Sequence, residues 1–289
     1  MFRRIKNSLA FRFPVLFYKK WLTYFSTYQP QDKPAAAFNY VVLCGKDHYP
    51  FLKQVIISIQ KKFSQLPHLY TFVDFGFPES QIKNILALYP SSKISVLMAE
   101  ECVRYHLERN NTLISEFASK NPMGLKLAAI LQIADNRSPL IYTDTDVLWL
   151  KDPIGDASTL LRDNLSMHMS YDYQPGYDFE LITKSGLDIL LEPPFYCAGL
   201  MLIKKIDAAD IDTINKLLPV LIERSEHLSE QTIFAYLQKQ KGKSALSADK
   251  YILSTTGQFD LKYTVKGEWI ARHYIGPVRH LFWRDAYYN

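Results

Sequence analysis

Short apolar runs alternate with segments of helical periodicity along most of the chain. Residues 40–44, 69–73 and 94–98 have the continuous apolar character of strands buried on both faces. Between them, residues 50–63 and 80–88 repeat apolar side chains at helical spacing. This alternation predicts an α/β fold in which a mostly parallel central sheet is covered by flanking helices.

The same pattern continues to the end of the chain with decreasing regularity. It predicts helices at 102–118, 124–134, 210–223 and 229–240, and extended segments at 140–142, 166–171, 196–203 and 269–274. No internal boundary interrupts this pattern, so we expect one α/β domain over residues 38–289. Residues 1–37 form a separate N-terminal segment and linker.

The N-terminal segment is basic and aromatic. Residues 1–35 contain seven basic residues and one acid, so they carry +6 while the rest of the chain carries −1. A helix kinked near Pro14 is expected, and its uncharged runs are too short to span a bilayer. Basic residues recur where a cleaved signal would be apolar. We expect a helix that rests on an anionic membrane surface through residues 1–30, or one packed on the domain with solvated charges.

The charge distribution and the cysteine content indicate which substrate class and which cellular compartment to expect. The net positive charge lies in the N-terminal segment. A nucleic-acid enzyme is expected to carry it around its working cleft, so nucleic acid is not expected as a partner. Cys44, Cys102 and Cys197 fit neither a disulfide framework nor zinc-ligand spacing. A reducing, cytoplasmic location is expected, at the cytoplasmic membrane face if the helix binds lipid.

Two aspartates follow the apolar run 140–142. Asp144 and Asp146 are two residues apart, so on an extended chain their side chains point the same way. Paired carboxylates favour a divalent cation. Such a pair arises about once by chance in a chain of this composition. Asp210 and Asp212 have the same spacing but lie at the start of a predicted helix, where capping and the helix dipole explain them.

A second candidate segment lies near the C-terminus. His273 offers an imidazole ligand, Gly276 permits close backbone approach to a phosphate, and Arg279 offers donors matched to phosphate oxygens. Alone, each residue also fits a structural role. Alone, the segment is therefore a weak signal of function.

Together the two segments resemble the nucleotide-diphospho-sugar glycosyltransferases of the GT-A fold, particularly the retaining glycosyltransferase family 8. The resemblance spans about residues 40–283 and implies that Asp144, Asp146 and His273 bind a metal ion. The imidazole suits Mn²⁺ better than Mg²⁺. It also implies transfer of a hexose from a UDP-sugar to a hydroxyl of a glycan or glycolipid, with retention of configuration.

The resemblance extends to further donor-binding positions. It implies that Asp47, His48 and Tyr49, just past the first strand, contact the nucleoside. Lys126 and Thr145 would lie against the donor sugar or its diphosphate. A polar loop and a solvated helix charge are the structural alternatives for His48 and Lys126.

On the acceptor side, Glu230 and Gln231 match a family Asp-Gln pair near the donor sugar, and Asp172 borders the expected acceptor site. Residues 195–203 resemble a family strand in which Cys197 replaces an asparagine. A thiol does not reproduce the paired donor and acceptor of an amide, which puts a sugar contact there in doubt.

Two other functional classes remain open at this point. A metal-dependent nucleotidyltransferase or phosphohydrolase also uses paired aspartates, although no Gly-rich phosphate loop is present. A non-catalytic, membrane-associated nucleotide-sugar-binding module is the second, because Cys197 departs from the family pattern.

Overall fold

The computed structural model describes residues 2–135, 139–224, 226–242, 244–263 and 267–289. A π-helical turn at Pro14–Tyr18 joins the first two helices. The described helices are α1 Phe2–Phe13, α2 Lys19–Tyr24, α3 Tyr49–Lys62, α4 Glu79–Leu86, α5 Ala99–Glu108, α6 Thr112–Lys120, α7 Pro122–Ala134, α8 Ile154–Leu160, α9 Phe179–Ser185, α10 Ala208–Leu221, α11 Ser229–Lys241 and α12 Arg279–Tyr288. The described strands are β1 Ala35–Cys44, β2 Leu66–Val73, β3 Ile94–Met98, β4 Leu140–Thr143, β5 Val147–Trp149, β6 Met167–Asp172, β7 Phe195–Ile203, β8 Ala245–Leu246, β9 Tyr251–Leu253 and β10 Ala271–His273.

Seven strands form the central sheet in the order β3-β2-β1-β4-β7-β6-β8. The pairs β3/β2, β2/β1, β1/β4 and β6/β8 are parallel, whereas β7 runs antiparallel to both β4 and β6. The predicted α/β architecture with a mostly parallel central sheet is therefore confirmed, and the N-terminal helix is present.

Helices bury both faces of this sheet. Tyr40 and Val42 of β1 point into one apolar cluster, and Val41 points into the other. That alternation follows from the two-residue period of a strand. Helix α7 is apolar on nearly all sides and lies almost wholly inside the second cluster, as expected for a helix without a solvent face.

Several elements differ from the sequence-based expectation. The helix predicted at 102–118 is two helices, α5 and α6, because Asn110 adopts a left-handed conformation with φ of 62°, which asparagine tolerates better than most residues. The extended segment expected at 269–274 shortens to β10. Residues 279–288, for which no element was predicted, form helix α12.

A second, three-stranded sheet with the order β5-β10-β9 lies at the end of β4. The sequence analysis did not predict it, because strands of three residues are too short to show a period. Strand β10 pairs antiparallel with β5, with His273 opposite Val147. In addition, the Tyr274 amide donates to the Asp146 carbonyl at 2.9 Å. This register brings the C-terminal segment beside the paired aspartates.

The N-terminal helices pack on the domain. The Tyr18 and Tyr288 hydroxyls lie 3.0 Å apart, and Lys53 Nζ donates to the carbonyls of Leu22 at 3.0 Å and Ser26 at 2.7 Å. Strand β1 begins at Ala35, before the boundary predicted at residue 37. Among the described residues, no helix is both long enough and apolar enough to cross a bilayer.

The close approach of α6 to α7 generates a stability prediction. A Cβ added at Gly124 would lie 2.2 Å from the Phe117 carbonyl oxygen. Relieving this clash requires a shift of the backbone, which costs more free energy than the movement of a flexible side chain. We expect Gly124→Ala to lower the free energy of unfolding by about 1–3 kcal/mol, measured by urea denaturation. Gly155→Ala, which meets no atom within 4 Å, is the matched control. Equal stability of the two variants would contradict the packing argument.

Candidate active site

The paired aspartates lie where β4 leaves the sheet. β4 ends at Thr143, and the Asp144 amide donates to the Gly199 carbonyl of β7 at 2.9 Å. Asp146 is 7% exposed, immediately before β5. The fold thus places one partly exposed and one buried carboxylate at the end of a parallel strand, the position at which open α/β sheets hold ligands.

His273 completes a three-residue cluster. Its Nε2 lies 3.1 Å from Asp146 Oδ1 and 3.9 Å from Asp144 Oδ2. One ligand atom from each residue lies within 4.8 Å of the other two. The structure therefore brings together the three residues that the sequence analysis assigned to a metal ion, although they come from segments far apart in the chain.

Opposite charges surround the buried Asp146. Arg279 donates to Asp146 Oδ2 from Nε at 3.0 Å and from Nη2 at 2.9 Å. Burial alone would raise the Asp146 pKa, but His273 and then Arg279 outweigh it and lower the pKa to about 2. For His273, burial would lower the pKa, and Asp146 followed by Cys197 raises it well above its ordinary value. Without a metal ion, the Asp146 carboxylate therefore favours the protonated form of the imidazole.

The cluster fits a divalent metal ion. Two carboxylate oxygens and one imidazole nitrogen suit Mn²⁺ and other borderline cations. Ligand atoms on opposite sides of a small hexacoordinate ion are about 4 Å apart, close to the spread of these three atoms. Metal binding would release the imidazole proton, since only the neutral ring is a ligand. Asp144, Asp146 and His273 are thus the residues that would hold the ion.

Two residues of β7 contact the other side of the imidazole. Cys197 Sγ lies 3.6 Å from His273 Nδ1, and a Cβ added at Gly199 would lie 2.1 Å from His273 Cε1. The thiol therefore lies where it can accept a hydrogen bond from Nδ1–H, and Nε2 then faces the aspartates. Cys197, which departs from the family pattern, thus contacts the proposed metal ligand His273.

A second charged cluster adjoins the first. Lys126 is buried, and its Nζ lies 3.0 Å from Asp144 Oδ1 and 3.0 Å from Glu230 Oε1. The Tyr142 hydroxyl donates to Asp144 Oδ1 at 2.8 Å. Burial lowers the Lys126 pKa, but Asp144 and Glu230 more than offset this and hold it above its usual value. The solvated-charge alternative for Lys126 is wrong, because the side chain is a buried bridge.

Gln231 and Asp172 connect the loop after β6 to this cluster. Gln231 Oε1 accepts from the Ala198 amide at 3.0 Å, and its Nε2 donates to the Gly176 carbonyl. Both ends of that amide are therefore engaged with backbone. Burial raises the Asp172 pKa, which the amides of Gln174 and Tyr173 partly oppose. Gln231 holds the loop in place and leaves Asp172 at the cavity.

A cavity of about 600 Å³ joins these groups. The predicted site residues that line it are Asp144, Thr145, Asp146, His273, His48, Lys126, Gly276, Arg279, Asp172, Glu230 and Gln231. Asp47 and Tyr49 do not line it. Asp47 is exposed, and Tyr49 packs against the core. Their assignment to the nucleoside is not supported by this geometry, because the short helical turn at Lys46–His48 directs only His48 toward the cavity.

Several lining residues were missed by the sequence analysis. Asp74 follows β2 as Asp144 follows β4, and Gly45 follows β1, so both lie at the same edge of the sheet. A polar residue directly after a predicted parallel strand was the available signal for Asp74. The two-residue period that places Asp144 beside Asp146 was also the available signal for the contact of Tyr142 with Asp144.

In the second Asp-x-Asp pair, Asp210 has the capping role that was expected of both residues. Asp210 and Asp207 form a reciprocal capping box at the start of α10, with bonds of 3.1 and 2.9 Å. Lys241 forms ion pairs with both carboxylates. The capping explanation for Asp210 is therefore confirmed, and Asp212 is an exposed neighbour.

Gly199 supplies a prediction for the metal cluster. In Gly199→Ala, the new methyl group would displace the His273 ring from Asp146. We expect affinity for Mn²⁺, measured by calorimetry, to fall by at least about tenfold. Gly155→Ala serves again as a control that adds a methyl group in open space. Unchanged Mn²⁺ affinity in Gly199→Ala would exclude His273 as a ligand.

Lys126 supplies a second prediction. Lys126→Met leaves Glu230 buried without a counter-charge, so we expect a loss of about 3–5 kcal/mol in unfolding free energy. Adding Glu230→Gln removes that buried charge and should recover part of the loss. Chemical denaturation of both variants tests the bridge, and a double variant no more stable than Lys126→Met would contradict it.

Comparisons with known proteins agree with this geometry. A family model described as nucleotide-diphospho-sugar transferase matches residues 115–274, more than half of the 289-residue chain. That range holds the paired aspartates, Lys126, Glu230 and His273. No curated protein sequence is matched by the chain.

Solved glycosyltransferases share the fold at low sequence identity. The mouse xyloside xylosyltransferase 1 apo structure is 12% identical, with a TM-score of 0.52 over 83% of this chain and 98% of that one. The galactosyltransferase LgtC, solved with donor and acceptor sugar analogs, is 15% identical, with a TM-score of 0.55 over 86% and 95%. The bifunctional glycosyltransferase WbbM in its apo form is 13% identical, with a TM-score of 0.60 over 91% of this chain and 51% of its own. With the family model matching more than half of its length, the chain belongs to the nucleotide-diphospho-sugar transferases and has the GT-A glycosyltransferase fold.

Proposed function

We propose that this glycosyltransferase moves a hexosyl group from a UDP-sugar to a hydroxyl of a glycan or glycolipid, with retention of anomeric configuration. Mn²⁺ or Mg²⁺ is the proposed metal. The observation that carries the proposal is the cluster of Asp144, Asp146 and His273 beside Arg279, at the edge of a cavity of about 600 Å³. A cavity of this size accommodates a small-molecule ligand such as a nucleotide sugar.

The diphosphate would lie between the metal cluster and Arg279. A bound divalent cation supplies Lewis-acid stabilisation of the charge that develops on the leaving diphosphate. The Arg279 side chain is 51% exposed, so its guanidinium can contact phosphate oxygens while it stays near Asp146. A Cβ at Gly276 would meet no atom within 4 Å, which leaves the backbone there open to a phosphate. These groups stabilise the leaving group in place.

The donor sugar would lie against Glu230. Its Oε1 contacts Lys126, whereas its Oε2 is buried and has no hydrogen-bond partner among the described residues. A buried carboxylate oxygen that lines a cavity without a partner is costly, and a sugar hydroxyl would satisfy it. Lys126 contacts the other oxygen of this carboxylate, so Oε2 is left to accept a hydrogen bond from the sugar. Asp172 lies on the loop side of the cavity, where the acceptor hydroxyl would enter.

The neighbours named for xylosyl and galactosyl transfer have the same fold with different sugars, so the fold alone does not select the donor. The proposal of a hexose with retention rests on the resemblance of the site segments to glycosyltransferase family 8. In same-face transfer, a phosphate oxygen of the leaving group accepts the proton of the acceptor hydroxyl. This chain's part is to hold the diphosphate at Arg279 and the sugar at Glu230.

Nucleotide binding gives the direct test. UDP together with Mn²⁺ should raise the melting temperature, since a ligand at about 100 times its Kd stabilises the folded chain by about 2.7 kcal/mol. The rise should require Mn²⁺ and should be lost in Asp146→Asn. The matched control is Asp212→Asn, which removes an exposed aspartate of the other Asp-x-Asp pair. ADP, GDP and CDP serve as comparison ligands.

Catalysis is tested by incubating the enzyme with a panel of UDP-sugars and following UDP release, with the anomeric configuration of the product determined by NMR. Release of UDP from a UDP-hexose and an unchanged anomeric configuration are the expected results. No thermal shift with any nucleoside diphosphate and Mn²⁺ would overturn the proposal. Binding without turnover would favour a non-catalytic module, and pyrophosphate release from nucleoside triphosphates would favour a nucleotidyltransferase.

A further inference from the structure

Helices α1 and α2 expose an unusual amount of apolar surface although they pack on the domain. Of the twenty-one large hydrophobic side chains exposed in the described part of the chain, ten lie between residues 5 and 25. Packing on the domain therefore does not account for them. We call the exposed side of residues 4–25 the aromatic-basic surface; its apolar members are Ile5, Leu9, Phe11, Phe13, Val15, Leu16, Phe17, Trp21, Tyr24 and Phe25.

One side of the N-terminal helices faces the domain and the other faces outward, and the four-residue spacing of the buried side chains distinguishes the two sides. The row that faces the domain, at intervals of four residues, is Ala10, Pro14, Tyr18 and Leu22, all buried. Tyr18 contacts the rings of Tyr287 and Tyr288 in α12, with centroids 4.6 and 5.7 Å apart. The helix is thus attached along one side, and that attachment fixes which side faces outward.

The outer rings form a continuous row. Phe13 stacks on Phe17 at 5.2 Å, Phe17 on Trp21 at 6.4 Å, and Trp21 contacts Phe25 at 5.5 Å between centroids. The π-helical turn at Pro14–Tyr18 lies within this row and does not interrupt it. Exposed contiguous apolar area on this scale marks an interaction surface.

Positive charge accompanies these rings. Arg4, Lys6, Arg12 and Lys20 are exposed, and Lys19 lies 5.4 Å over the Trp283 ring. The sequence has no Asp or Glu before Asp32. Two copies of this surface would bring like charges together, so self-association is disfavoured. A partner that carries negative charge at its surface and an apolar layer beneath it would match both the basic side chains and the exposed rings.

We propose that the aromatic-basic surface docks on an anionic lipid bilayer. The Trp and Phe rings would enter the boundary between head groups and acyl chains, and the arginine and lysine side chains would contact lipid phosphates. Such docking does not depend on catalysis and goes beyond the proposed function.

The experiment is co-sedimentation of the full chain with vesicles of phosphatidylcholine alone and of phosphatidylcholine mixed with phosphatidylglycerol. Binding is expected to the anionic vesicles and should weaken as salt is raised. Arg12→Gln with Lys20→Gln should weaken it roughly ten- to thirtyfold. Trp21→Ser with Phe25→Ser should weaken binding at every salt concentration, because the apolar contribution is not screened.

Exposed residues elsewhere provide matched controls. Phe179→Ser and Lys216→Gln remove an exposed ring and an exposed charge outside the surface and should leave vesicle binding unchanged. Absence of binding to anionic vesicles would overturn the proposal. Equal binding to both kinds of vesicle, unchanged in the Arg12→Gln, Lys20→Gln double variant, would also overturn it. A dimer detected by light scattering and abolished by Trp21→Ser with Phe25→Ser would assign the surface to a second copy instead.

Discussion

The buried carboxylate of Asp146 is the constraint on which the site depends. Taking a carboxylate out of water is costly unless cations compensate it, and here His273 and Arg279 do so from the same C-terminal segment. The antiparallel pairing of β5 with β10 sets their distance. The register of this sheet and the ion pair therefore stabilise each other. The Asp146 and His273 side chains that form this pair also belong to the cluster that would hold a metal ion.

Charge compensation extends from this centre through Asp144. Its carboxylate contacts Lys126, which also neutralises Glu230, so the metal side and the proposed sugar side of the cavity belong to one buried network. Each member satisfies a neighbour, with Glu230 Oε2 left free at the cavity. Buried networks of this kind are rigid because breaking one bond exposes another charge to a low dielectric. Rigidity of this kind preorganises the groups that would receive the donor.

Helix α12 links the cavity to the N-terminal helices. It begins at Arg279, beside Asp146, and ends at Tyr288, which contacts Tyr18. A ten-residue helix is about 15 Å long. Rings of the aromatic-basic surface lie along this helix, from Phe11, whose centroid is 4.4 Å from that of His280, to Phe17, which is 6.5 Å from Tyr287. Docking of that surface on a bilayer would thus place the proposed diphosphate site within about one helix length of the contact rings.

Local pattern was enough to predict the alternating strands and helices, the aspartates after β4 and the capping role of Asp210, because periodicity and strand ends are properties of neighbouring residues. The family resemblance added His273 and Arg279. Tertiary structure alone showed that Lys126 is a buried bridge, that Gln231 binds backbone at both ends, and that Asp47 and Tyr49 do not line the cavity. Those outcomes depend on the register of β5 against β10 and on the packing of helices from distant segments, and no local pattern of residues encodes such distances.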